Sequence, residues 1–185
     1  MNTLTLVTSL LVVTAMSCGK DKTPSSGTST PTTAKVAEPA TAIKLGDATV
    51  YELVNRRWDK VDPPKRAMVL HADGTLEDIN DKTDKPWMTF AIKLDGSVSF
   101  EGKPVGTISD RGVVGADGQV QIPLAGDTLS VKIDDKIVKV SLGSDGNVTV
   151  HDRPDGVKWR IDAADAAVRR TAFLALGLTM KTALD

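Results

Sequence analysis

Two histidines, one serine and one cysteine are the first places to look for chemistry. His71 and His151 stand 80 residues apart, each at the expected end of a strand. If they met across a sheet they could bind a metal together with Asp73 or Asp152. The plainer reading, two ordinary strand-end residues, is preferred, and no metal or cofactor is assigned. Ser144 lies in Gly143-Ser144-Asp145-Gly146, which lacks the Gly-x-Ser-x-Gly spacing of a nucleophile elbow. Cys18 is the single cysteine, so no disulfide can form within the chain. No glycine-rich phosphate loop follows a strand. Paired carboxylates for glycoside chemistry would need a cleft and aromatic platforms, and aromatics make up only 4% of the chain. No catalytic residue is expected, and the chain is read as a non-enzyme.

Aspartate-glycine pairs raise a calcium question. The pattern Asp-Gly-x-(Leu/Val) occurs at Asp73, Asp95, Asp117 and Asp145. None of the four supplies the alternating ligands, central glycine and closing glutamate of an EF-hand loop. Turn geometry alone explains them, because Asp-Gly provides the positive φ angles of tight hairpins.

Charge is balanced, with 23 basic and 24 acidic residues and a net of −1. That excludes electrostatic capture of nucleic acid. The basic pairs Arg56-Arg57, Lys65-Arg66 and Arg169-Arg170 read as solvated surface.

The N-terminus has its own character. Residues 2–17 carry no charge, and the apolar stretch Leu4–Met16 is shorter than the roughly 20 residues a membrane-spanning helix needs. Ala15-Met16-Ser17-Cys18 at its end resembles the lipobox of bacterial lipoproteins. Ala15 stands where the family usually has leucine, and no Lys or Arg precedes the apolar stretch. The resemblance implies a signal peptide over 1–17, acyl chains on Cys18, and a membrane partner reached through that lipid. Gly19, rather than aspartate, implies the outer membrane of a Gram-negative cell envelope. Residues 19–42 are rich in Ser, Thr, Pro and Ala and have no large apolar side chain, so they cannot offset their own ordering entropy. Residues 18–42 are therefore the lipidated cysteine and its tether, and residues 43–185 a single β-rich domain.

The elements of that domain follow from periodicity. Met88-Phe90-Ile92-Leu94, Leu129-Val131-Ile133, Val138-Val140-Leu142 and Val157-Trp159-Ile161 alternate with polar or small residues. Period two means strands with one face buried. About ten short antiparallel strands are expected between residues 67 and 161, as two packed sheets or a partly open barrel. A solenoid is disfavoured, because the repeat is degenerate outside its turns. Val50, Val54, Trp58 and Val61 suggest a short helix over 48–60, ended by Pro63-Pro64. Asn55-Arg56-Arg57-Trp58 resembles the Gly-x-Trp opening of lipocalin-like barrels without its glycine. A second helix is expected from Ala163 to about Thr182, capped by Asp162 and buried against the sheet along Ala172–Met180.

The expected function is a non-enzymatic binding or envelope-structural domain anchored at the outer membrane. Two alternatives have stated requirements. A lipocalin-like carrier needs an apolar cavity in place of a filled core. An envelope hydrolase needs a cleft that sets His71 or His151 against carboxylates.

Overall fold

Short runs rich in β-branched residues extend here as strands, and turn residues fix where each one stops. The structure is a computed structural model that describes residues 43–133, 135–153 and 156–182. The tether and Cys18 lie outside the described residues. The strands are β1 (Ala48–Val54), β2 (Lys60–Leu70), β3 (Thr75–Ile79), β4 (Pro86–Ile92), β5 (Ser97–Phe100) and β6 (Lys103–Ser109), followed by β7 (Gly112–Gly115), β8 (Val120–Ala125), β9 (Thr128–Ile133), β10 (Lys136–Leu142), β11 (Asn147–Val150) and β12 (Val157–Ala163). A helix, α1 (Ala166–Thr182), follows the last strand.

Every strand pairs antiparallel with its neighbour in sequence, and β1 pairs also with β12. The meander thus closes into a barrel, in register from Ala48 opposite Ala163 to Glu52 opposite Trp159. Closure replaces the two sheets or open barrel expected from the sequence, and it leaves no free strand edge. The missing piece was β1. Residues 48–60 form a strand, a turn and the start of another strand, not a helix. Val50, Val54 and Trp58 are four apart, which fits one face of a strand as well as one face of a helix. Thr49, Val50, Tyr51 and Val54 favour the strand by type. Pro63 and Pro64 sit inside β2, beside the register shift between Glu52 and Val54 where the ladder is interrupted.

An antiparallel meander sends alternate connections to opposite ends of the barrel. The β2–β3, β4–β5 and β10–β11 turns open at the near end, where β12 hands over to α1. The β1–β2, β7–β8 and β11–β12 connections open at the far end. The Asp-Gly pairs at Asp73, Asp95, Asp117 and Asp145 occupy turns, with glycine φ between 77° and 89°. At the near end these turns are stitched to the strand beyond their own hairpin. Gly96 N donates to Lys93 O (2.8 Å), Ser97 N donates to Asp95 Oδ1 (2.9 Å), and Ile108 N of β6 donates to Gly96 O (2.9 Å). Gly74 and Gly146 accept from Ile92 N and Ile161 N in the same way, each at 2.8 Å. Hydrogen bonds from Ser97 hold the Asp95 carboxyl below its usual range. The aspartates are thus used by their own turns.

Inward side chains such as Val50, Leu70, Leu76, Val98, Leu129 and Ile161 are fully buried. A ring of twelve strands is wider than the eight that side chains alone can fill. α1 fills it. Residues 171–179 are buried without exception, so no face of that stretch meets solvent. The helix touches β1 and β12 on one side and β6, β7 and β9 on the other. Those strands lie across the ring from each other, so the helix crosses the near end of the barrel from one side of the ring to the other. At Gly177 a Cβ would lie 2.9 Å from Leu129 Cδ1, so the helix passes the wall closely there.

The cap of α1 differs from expectation. Asp162 belongs to β12, and Asp165 caps the helix instead, its Oδ1 accepting from Ala167 N (2.7 Å) and Val168 N (3.3 Å). Lys44 Nζ meets Asp165 Oδ2 at 2.5 Å. Arg169 and Arg170, expected as solvated surface, fasten the helix to near-end turns. Arg169 donates to Ser144 O (2.6 Å) and Ala163 O (3.2 Å), and Arg170 pairs with Asp127 at 2.5 Å. Ile43 and Leu45 pack against the core from the same end.

Candidate functional site

The histidines do not form a site together. His71 lies on the near-end connection after β2 and His151 on the far-end connection after β11, with β1 and β12 between those strands. His71 Nε2 is 3.3 Å from Glu77 Oε2. His151 Nε2 is 2.7 Å from Ser141 Oγ, which in turn bonds Thr128 Oγ1 at 2.7 Å. That row crosses the outer face of β9 and β10, and no carboxylate is bonded to it among the described residues. No group of three or more His, Cys, Asp or Glu side chains suited to a metal occurs among the described residues.

A different cluster forms at the far end, where β1, β2 and β12 meet. The turn after β1 is shaped by Asn55, whose Oδ1 accepts from Arg57 N (2.7 Å) and Asp59 N (3.1 Å). That turn presents Arg56 and Arg57 to solvent and lays Trp58, at φ 65°, against the barrel rim. On β12 the register with β11 shifts between Val148 and Thr149, opposite Lys158. The Lys158 ammonium lies 4.5 Å from the Trp159 ring centre and 5.9 Å from that of Trp58. The Arg153 guanidinium lies 5.4 Å from the Trp58 ring from the other direction. Arg160 lies 5.7 Å from Tyr51, its partner in the β1–β12 ladder. Each cation over a ring face gains roughly 0.5–2 kcal/mol, more as it is desolvated.

The electrostatics of this rim are unusual for the molecule. Burial pushes the Lys158 amine below its usual value; Glu52 opposes the shift, while Arg56 and Arg153 add to it. Arg56, Arg57, Arg153, Lys158 and Arg160 form no ion pair among the described residues. Other basic residues do find acids: Lys60 meets Asp62 at 3.8 Å on the same rim, Arg66 grips Asp84 at 2.7 Å, and Lys44 and Arg170 are paired at the near end. Among the described residues those five cations share the rim with Glu52, Asp59 and Asp152 and with the Lys60–Asp62 pair at the start of β2. Arg153, Lys158 and Arg160 lie over aromatic rings, and cations so placed are suited to holding anionic groups.

Sequence reasoning left these residues out of any site. Arg56-Arg57-Trp58 and Lys158-Trp159-Arg160 are both basic-aromatic triplets, and that common composition was the available signal. They lie about 100 residues apart and become neighbours only because the barrel closes. The lipocalin-like motif falls on the β1–β2 turn.

No family model matches this chain, and no curated protein or solved structure matches it.

Proposed function

We propose that the chain is a lipid-anchored protein of a bacterial envelope whose barrel works by binding at its outer surface, without catalysis. The lipobox-like Ala15-Met16-Ser17-Cys18 supports the anchor. The far-end cluster, whose Arg153, Lys158 and Arg160 lie over aromatic rings and form no ion pair among the described residues, is the observation that carries the binding role. The packing of α1 against inward side chains weighs against the carrier alternative, since it takes interior space that a ligand would need. A depression of about 440 Å³ opens at the near end against Asp47, Thr49, Asp162 and Ala163. Its lining mixes polar side chains with alanines and lacks the large apolar side chains of a lipid cup. The hydrolase alternative has less support: His71 meets Glu77, but neither histidine lines either of the depressions described.

The anchor is tested in a bacterial host with radiolabelled palmitate. Label should enter the wild-type chain and be absent from Cys18→Ser, and the variant should leave the membrane fraction. A Cys18→Ser protein that keeps both label and membrane location would sink this reading.

A further inference from the structure

The far-end rim holds more than cations. The chain has three tryptophans and one tyrosine; the tryptophans fall toward that end, and the tyrosine lies midway along its strand. Trp58 is on the β1–β2 turn, Trp87 is the second residue of β4, which begins there, and Trp159 is the third residue of β12, which also begins there. Tyr51 lies on β1 beside Arg160. Trp87 is 57% exposed, the most exposed aromatic among the large hydrophobics of the described residues. Amphipathic rings at one end of a body, ringed by Arg and Lys, match the interface of an anionic bilayer. Indole and phenol side chains favour the headgroup level, and basic side chains favour phosphate.

We infer that the far-end rim, centred on Trp58, Arg153, Lys158 and Trp159, docks the barrel on anionic phospholipid headgroups. The inference rests on the envelope-anchored reading above and deepens it. If Cys18 is acylated, residues 19–42 would connect the barrel to the bilayer. For 24 residues, random-chain statistics give a root-mean-square span of about 27 Å. At that range a weak headgroup affinity is enough, because the tether keeps the local lipid concentration high. Where β1, β2 and β12 meet, the described residues carry six cations, Lys60 included, against four carboxylates, Asp62 included. The filled core and stitched near-end turns leave the barrel a rigid body, so docking orients it, near end outward.

The tryptophans make the orientation measurable, since every one of them is at the far end. The full chain carrying Cys18→Ser, which removes any acyl contribution, is mixed with vesicles of one part phosphatidylglycerol to two parts brominated phosphatidylcholine. Tryptophan fluorescence should be quenched on these vesicles, and much less on brominated phosphatidylcholine alone. High salt should reverse the quenching, because the attraction is between exposed charges. Each basic residue near an anionic surface contributes roughly fivefold in affinity. Arg153→Glu with Lys158→Glu should therefore weaken binding at least tenfold. Arg56→Glu with Arg57→Glu, on an exposed turn, should do the same with an unchanged melting temperature, which separates docking from folding. Equal quenching on neutral vesicles, or quenching untouched by both pairs of charge reversals, overturns the inference. So does competition by millimolar inorganic phosphate, which would identify a site for a free anion. The anchor is judged separately by palmitate labelling, so a barrel that docks without a lipid, or a lipid-anchored barrel that does not dock, can each be recognised.

Discussion

Gly96 and Gly118 occupy the same sequence motif and nearly the same φ, 81° and 77°, yet their surroundings differ. A Cβ on Gly96 would fall on the Ile108 carbonyl oxygen, whereas a Cβ on Gly118 would meet nothing. Positive φ alone costs a side chain about 1–3 kcal/mol. Gly118→Ala should lose about that much in urea denaturation, and Gly96→Ala clearly more, because the stitch to β6 must also open. Equal losses would show that the near-end stitching adds nothing. Asp78 makes a second residue-scale case. It sits opposite Met68 and Met88 on β2 and β4, and burial raises its pKa, while the Trp87 indole and Ile79 amide favour the charged form. A carboxyl whose folded pKa exceeds its unfolded value stabilises most when protonated and loses that contribution as pH rises through the folded pKa. Asp78→Asn should therefore be more stable than the parent at neutral pH, with the difference shrinking in acid. A variant less stable than the parent at neutral pH would mean that the charged carboxylate, through Trp87, is worth more than its desolvation costs.

Elements were legible in the sequence wherever period and length agreed. The strands from β3 to β12 follow alternating apolar residues and turn signals, and α1 follows a run of strong helix formers. Two errors have physical causes. The start of α1 is three residues later than expected, because Asp162 and Asp165 are both competent caps and the closing ladder holds residues up to Ala163 in β12. β1 was read as a helix because a spacing of four does not distinguish the two periods. The depth of α1 was only half legible: apolar residues on more than one face foretold burial, but a ring around the helix follows only from closure. Phe173, Leu174 and Ala175 are consecutive and all buried, which a helix on an open sheet could not achieve. Leu174→Ala should cost about 2–5 kcal/mol as a cavity in a packed interior. Ala166→Ser, on an exposed position of the same helix, should change stability by less than about 0.5 kcal/mol. Comparable losses at the two positions would place Leu174 on a surface.

At the scale of the molecule, closure does two things at once. It joins the first strand to the last, and it assembles the far-end rim from segments that share no sequence neighbourhood. That is why the cluster was invisible as a site, although each of its residues was in plain view. The price is that stability depends on the segment just before β1. Ile43 and Leu45 pack on the core, Lys44 pairs with Asp165 at the helix cap, and Asp47 Oδ1 accepts from Ala72 N at 3.0 Å. The two apolar side chains are half-buried, so removing both should cost a few kcal/mol, which in a domain of this size lowers the melting temperature by roughly 5–15 °C. A chain beginning at Ile43 should melt with the parent, and one beginning at Ala48 should melt lower by that margin. The same cut should leave vesicle docking of the folded fraction unchanged, since residues 43–47 lie at the near end and the docking rim at the far end. If the chain from Ala48 melts with the parent, the segment does not seal the barrel. If the chain from Ile43 already melts lower, residues before 43 pack on the domain, against their composition.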